Sequence, residues 1–406
     1  MQVKVHRGTH QIGGSITEIK TANARLIIDI GEELPSLNKS ELPFDIDGIT
    51  KGTANCDGIL VTHYHGDHVG MFEKVLPNIP IYMGATAKKI LSIVQTAIQK
   101  IPNENKGNPE LVATFKEFEA GKSFQIKDIK ITPYCIDHSA FDAYMFLIEA
   151  EGKRILHTGD FRMHGARGRG MEKVFRTFAK NIDLLIIEGT MLSRMGEKAI
   201  TEHELGQEAE KLLRENKNVI VLCSSTNIDT IAEFYHATAK LKKPFVICDD
   251  MQDEILKVVT ATAKSSFYDF TKPKVYTYGK NEKLQKYMTD CGFCFIGRMN
   301  YSTQMAMETF KDNLLIYSMW KGYLDENHPA KDPRKIEWIN KAKSNTRKMI
   351  DLHTSGHATA EQIKLVCEIT KAKIVLPIHS EKPEMFRELG IQANIKVLQD
   401  GESLTI

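Results

Sequence analysis

Three imidazoles and one carboxylate fall within the run His63-Tyr64-His65-Gly66-Asp67-His68. The run follows Ile59-Leu60-Val61, a short apolar stretch that reads as a buried strand. Side chains on a tight loop at a strand end can converge on one point. Neutral imidazole and carboxylate form the ligand set of zinc, and three protein ligands per ion leave a position open for water. A histidine-rich surface loop would stand alone, whereas here matching residues recur. Cys135-Ile136-Asp137-His138-Ser139 follows the alternating Ile129-Lys130-Ile131-Thr132. His157-Thr158-Gly159-Asp160-Phe161 follows Arg154-Ile155-Leu156, and Ile374-Val375-Leu376-Pro377-Ile378 runs into His379. Strands that end alike, in metal-competent side chains, place one site at one edge of the sheets.

The elements that must position these residues extend the pattern. Leu184-Leu185-Ile186-Ile187 is a further apolar strand and ends in Glu188. Thr354-Ser355-Gly356-His357-Ala358 precedes a helix signalled by the capping box Thr359-x-x-Gln362, with Ile363, Val366 and Cys367 along one face. Between Thr190 and Ser355 the strands Asn218–Cys223, Phe245–Cys248 and Leu314–Tyr317 alternate with helical stretches such as Glu254–Thr262. That alternation predicts a small parallel α/β domain. The expected division is a first domain over 1–198, an insert over 199–345, and a return to the first domain over 346–406. The best linker candidate is Asp325-Glu326-Asn327-His328-Pro329, before a polar helix around Arg334 to Ser344.

Taken together, these motifs resemble the metallo-β-lactamase fold and, within it, the β-CASP nucleases. The opening Gly13-Gly14-Ser15 and the strand Leu26 to Gly31 are similar to that fold's first hairpin. Glu188, His357 and His379 stand where the family carries its motifs A, B and C, in an order similar to that of the ribonuclease J family. The resemblance implies an α/β protein, a metallo-β-lactamase αββα sandwich with an inserted β-CASP α/β domain. It implies two divalent ions, zinc first and manganese as the alternative. His63, His65 and His138 would hold one, Asp67, His68 and His379 the other, and Asp160 would bridge them. Asp67, Glu188 and His357 would be catalytic, while Ser224, Ser225, Asn227, Arg298, Ser355 and His357 would contact phosphate or RNA.

The activity this implies is hydrolysis of phosphodiester bonds in single-stranded RNA by hydroxide generated at two metal ions, in endonuclease or 5′ exonuclease mode. The insert would form one wall of the groove that takes the strand, and the resemblance allows a homodimer. A small-molecule ester or thioester hydrolase on the same centre, and a DNA nuclease, are the other enzyme readings. A small substrate needs neither the insert nor the three motifs. A silent RNA-binding subunit would lose ligands, and none is missing. The chain departs from its relatives at Ser318-Met319-Trp320-Lys321-Gly322-Tyr323, where they have small residues and Gln-Gly. Asp229 stands where they have a basic or imidazole side chain, and the sequence ends at Ile406, where ribonuclease J continues into another domain.

Composition sets the outer bounds. At 406 residues the chain is long enough for two cores. A net charge of +2 lacks the basic excess of a sequence-independent duplex binder. Local charge for gripping one strand is expected from Arg162, Arg167 and Arg169 in a Gly-rich loop, and from Lys321. No apolar run reaches the roughly 18 residues of a membrane helix, and the start Met1 to His6 alternates like a strand rather than a signal peptide. Seven cysteines without framework spacing fit a reduced, cytoplasmic setting. The Cys291/Cys294 pair lacks the second pair that a zinc site would need.

Overall fold

The strand Leu184–Glu188 shows how a continuous apolar run is used. Successive strand side chains point to opposite faces. Leu184 and Ile186 join a core with Val3, Val5, Leu26, Phe146 and Ile155, while Leu185 and Ile187 join one with Phe161, Met171, Phe175, Ile363 and Val366. A strand buried on both faces has no polar side to alternate with.

In the computed structural model, residues 1–34, 44–102, 106–279, 281–327 and 331–406 are described. They divide into two units, one built from 1–34, 44–198 and 356–406 and the other from 199–355.

The first unit holds two seven-stranded sheets. One runs in the order Ser403–Thr405, Gln2–Arg7, Ile16–Lys20, Arg25–Ile28, Gly58–Leu60, Ile81–Gly84 and Lys116–Phe118. The other runs Asn394–Ile395, Ile374–Ile378, Leu184–Glu188, Lys153–His157, Ala143–Ala150, Ile129–Ile136 and Phe124–Ile126. The first core lies between the two sheets. The second lies between the second sheet and the helices Gly168–Phe178 and Ala360–Thr370. Helix Ala85–Gln99 packs on the far side of the first sheet, against Ile81–Gly84. This is the αββα sandwich of the metallo-β-lactamase fold, as the sequence implied. Burying each large aliphatic side chain of these cores contributes about 1.5–3 kcal/mol.

The helix Ala360–Thr370 starts as its sequence requires. The Thr359 hydroxyl accepts from Gln362 N at 3.4 Å, and Gln362 Oε1 accepts from Thr359 N at 3.2 Å, closing the capping box.

The second unit is a six-stranded, wholly parallel sheet in the order Val275–Thr277, Phe245–Ile247, Phe293–Gly297, Asn218–Leu222, Leu314–Tyr317 and Lys348–Asp351. The expected parallel α/β domain is present. Lys348–Asp351 pairs with Leu314–Tyr317, so this unit continues past Asn345 to Ser355. The half-buried Lys348–Asp351 has no apolar run to announce it as a strand. The proposed linker Asp325–Pro329 lies partly outside the described residues, and its described part sits inside the second unit, ahead of helix Pro333–Ala342.

Candidate metal centre

Three adjacent strands of the second sheet, Lys153–His157, Leu184–Glu188 and Ile374–Ile378, run parallel to one another. Their carboxyl ends share an edge, which carries Asp160, Glu188 and His379. His138 follows Ile129–Ile136, and the His63–His68 loop follows Gly58–Leu60.

That loop is clamped by backbone. Ile30 N donates to His68 O at 2.8 Å, Glu32 N to Gly66 O at 2.9 Å and Ser15 N to Asp67 O at 3.1 Å. Gly31 permits the approach, since a Cβ there would lie 1.8 Å from Asp67 O. Buried Arg7 reinforces it, donating to Gly14 O at 2.9 Å and to Gly31 O.

The candidate ligands assemble into overlapping groups, each with its ligand atoms within 4.8 Å of one another. One is His63, His65 and His138; another is Asp67, His68 and His379; Asp160 joins His63 and His68 in a third. His65 Nδ1 lies 3.1 Å from His63 Nε2 and 3.3 Å from His138 Nε2. His379 Nε2 lies 3.3 Å from Asp67 Oδ2, and His68 Nε2 lies 3.1 Å from Asp160 Oδ2.

The opposite ring nitrogens are held. His68 Nδ1 donates to Asp29 Oδ2 at 2.7 Å and His138 Nδ1 to Gly356 O at 2.7 Å. Thr62 donates its hydroxyl to Asp29 at 2.8 Å, so that oxygen accepts from His63 Nδ1 at 3.0 Å. His379 Nδ1 meets the Thr190 hydroxyl at 2.8 Å. Outer partners of this kind fix the tautomer and turn the other nitrogen's lone pair inward. Sequence reading missed Asp29, Thr62 and Thr190. Asp29 did carry a signal, since it too ends an apolar strand, Arg25–Ile28.

Two of these residues hold costly backbone. His379 adopts φ +50° and Asp29 φ +61°, a left-handed region that costs a non-glycine residue on the order of 1 kcal/mol or more. The surrounding hydrogen bonds, including His379 N to Gly8 O at 2.6 Å, hold that geometry.

The electrostatics suit a cation. Burial, and then the neighbouring His68 charge, hold His63 well below the ordinary histidine range, and burial holds His65 at about 4. Burial followed by His65 does the same for His138. Neutral imidazole is the form that ligates. Burial would also lower His68, but the Asp160, Asp29 and Asp67 carboxylates outweigh it and raise it. Asp160 and Asp67 are held low against the effect of burial, Asp160 chiefly by His379 and His68, Asp67 chiefly by His68. Asp160 Oδ1 is buried with no hydrogen-bond partner among the described residues. Donors so placed fit divalent metal.

Glu188 and His357 stand beside this group. Glu188 is fully buried and accepts from Phe161 N at 3.0 Å, Thr190 N at 3.2 Å and Ala358 N at 3.4 Å. Its carboxylate lies 3.1 Å from His357 Nδ1. Burial lowers the His357 ring, but Glu188 and then Asp160 raise it further, so it rests above the ordinary value.

The arginine loop does not supply the expected grip. Arg162 is fully buried, with Nε 3.8 Å from Asp137 Oδ1. Arg167 donates to His138 O at 3.1 Å. Both are drawn inward by Asp137, the residue before His138, and only Arg169 of the three is exposed. Lys321 is exposed and lies 2.9 Å from Asp351.

The remaining candidates belong to the second unit, where Ser224, Ser225, Asn227 and Arg298 follow strand ends of its sheet. Ser224 is exposed, while Ser225 Oγ and Asn227 Oδ1 are buried with no partner among the described residues. Arg298 donates to Asp249. Asp229 points into the unit's core and accepts from the Tyr268 hydroxyl at 2.7 Å. Ser355 is the last residue of this unit, immediately before Gly356.

The β-lactamase superfamily domain matches residues 25–220. Ribonuclease J of Mycoplasma genitalium is 21% identical over 97% of this chain and 72% of its own length. Ribonuclease J of Helicobacter pylori is 21% identical over 98% of the chain and 60% of its own length. An endoribonuclease of Mycosarcoma maydis is 24% identical over 92% of the chain, which spans 46% of that protein. A crystal structure of an Enterococcus faecalis protein of unknown function superposes with a TM-score of 0.78 at 20% identity, covering 100% of this chain and 99% of that one, and shows the same fold. The chain thus carries a β-lactamase superfamily domain and, over nearly its whole length, resembles the β-CASP nuclease ribonuclease J.

Proposed function

We propose that this protein is a metal-dependent ribonuclease that hydrolyses phosphodiester bonds of single-stranded RNA. The observation that carries the reading is the pair of ligand groups sharing one carboxylate neighbourhood, His63, His65 and His138 beside Asp67, His68 and His379, with Asp160 between them. Beside it stands the Glu188–His357 pair, for which a small-ester hydrolase has no use.

Two divalent ions held there, zinc in the first instance, would supply an activated water and offset charge at phosphorus. The chain's own residues do the rest. The outer partners of His63, His68, His138 and His379 keep the ligand set preorganised, so little reorganisation accompanies reaction. The ring of His357, whose proton affinity Glu188 and Asp160 raise, would donate to a phosphoryl oxygen as charge builds there. Glu188 is a positioning residue, since its oxygens meet backbone amides and the His357 ring. Asp67, grouped with His68 and His379 as a candidate ligand, would also relay a proton through its carboxylate. In the second unit, Ser224, Ser225 and Asn227 are assigned to phosphate contact. Arg298 and Ser355 keep the same assignment, with Arg298 restrained by Asp249. All seven cysteines are unpaired, which supports a cytoplasmic setting.

The test is incubation of the purified protein with end-labelled single-stranded RNA bearing a 5′ monophosphate or triphosphate, hairpin RNA and single-stranded DNA, with zinc, manganese or chelator. Metal-dependent cleavage of single-stranded RNA, faster than of hairpin or DNA, is expected. Equal cleavage of duplex and single strand, or ester hydrolysis without nuclease activity, overturns the reading.

A further inference from the structure

In the second unit's sheet, the chain leaves Asn218–Leu222 towards Phe245–Ile247 on one side, and leaves the neighbouring strand Leu314–Tyr317 towards Lys348–Asp351 on the other. Neighbouring parallel strands with diverging exits open a crevice at their carboxyl ends. Ser318 N donates to Leu222 O at 2.9 Å, so the two exit loops start side by side. These loops carry buried polar atoms without partners among the described residues. They are Ser225 Oγ, Asn227 Oδ1 and Ser318 Oγ, on side chains 3%, 8% and 1% exposed. Asn227 opens the helix Ile228–Lys240 without capping it through its side chain. A buried hydroxyl left unpaired is destabilising, and an incoming oxyanion at a helix start would satisfy it.

The aromatic Trp320 follows directly. Trp320 is partly buried, and its indole lies against Gly322, where a Cβ would come 2.3 Å from the ring. Tyr323 meets the indole edge-on at 5.3 Å. The Tyr317 hydroxyl donates to Trp320 O at 3.2 Å and fixes the loop. The Lys335 ammonium sits 4.5 Å from the Tyr323 ring centre and is held there by Asp332 at 2.7 Å. A held aromatic ring two residues beyond a phosphate-competent hydroxyl is the pairing with which strand binders take a nucleotide, base on ring and phosphate on polar groups.

Building on the RNA-substrate reading above, we propose that Trp320 is a stacking platform for an unpaired nucleobase of the substrate strand. The base lies on the indole, and Ser318 and Ser225 receive the neighbouring phosphate. Because every base has a π-face, the platform would read single-strandedness rather than sequence.

The chain has two tryptophans, Trp320 and Trp338, so Trp338→Phe leaves Trp320 as the only indole. In the metal-loaded full chain carrying that change, AMP and a short RNA should quench the fluorescence, whereas ribose 5-phosphate and inorganic phosphate should not. Trp320→Leu should weaken binding of a labelled RNA about tenfold, within the range for one stacked base, while Trp320→Phe stays near the parent. Leu keeps apolar bulk without a π-face, so the Leu/Phe contrast separates stacking from a loop that has merely lost its packing. Unchanged fluorescence at saturating RNA, or equal RNA affinity of the Leu and Phe variants, overturns the platform. Either result leaves metal-dependent cleavage to be judged separately. Quenching by AMP without any RNA cleavage would instead sink the ribonuclease reading.

Discussion

Asp67→Ala is expected to reduce hydrolysis below detection while the protein stays folded. The Asp67 carboxylate is held in its ionised form against burial, chiefly by His68 and by the His379 ring 3.3 Å away. Removing it takes away one of the three side chains in the Asp67, His68 and His379 group. It also removes the oxygen assigned to proton relay, so ion affinity and chemistry should fail together. The fold has little reason to respond. Asp67 sits in a four-residue helix and contributes to no apolar core, and the clamp on its loop runs through its backbone oxygen, which alanine keeps. Circular dichroism and the thermal midpoint should stay close to the parent. Activity within a few-fold of the parent would show that Asp67 is not part of the catalytic machinery.

His357→Ala should cost about 10²–10³ in rate, the usual loss for one transition-state donor, with metal content unchanged. The two halves of that expectation separate donor from ligand. His357 turns Nδ1 to Glu188, and its raised proton affinity suits donation rather than ligation. Asp160, Glu188, His357 and His379 nevertheless also come within 4.8 Å of one another. Loss of one metal equivalent in the variant would therefore make His357 a ligand and reverse the division of roles. Glu188→Gln should lose part of the same factor by releasing the ring, with the effect in kcat more than in KM.

The candidate ligands were legible because each follows the end of a largely buried strand, in one sheet for His63 to His68 and in the other for His138, Asp160 and His379. The capping box was legible because it is local. The residues that orient the ligands were harder to see. Thr62 and Thr190 are ordinary strand-end residues until their hydroxyls meet His63 and His379, and the latter contact spans a separation of 189 residues. The arginine loop misled for a related reason. A guanidinium in a Gly-rich stretch reads as exposed, and only the fold brings Asp137 to bury Arg162. The insert's extent was misjudged because Lys348–Asp351 is a half-exposed edge strand with mixed polarity.

Metal analysis bears most directly on the central claim. Protein stripped with chelator, reconstituted with zinc or manganese and dialysed exhaustively should hold close to two equivalents per chain, and RNA cleavage should rise with occupancy. Fully folded protein that retains no metal, or that cleaves RNA equally well in chelator, would contradict it.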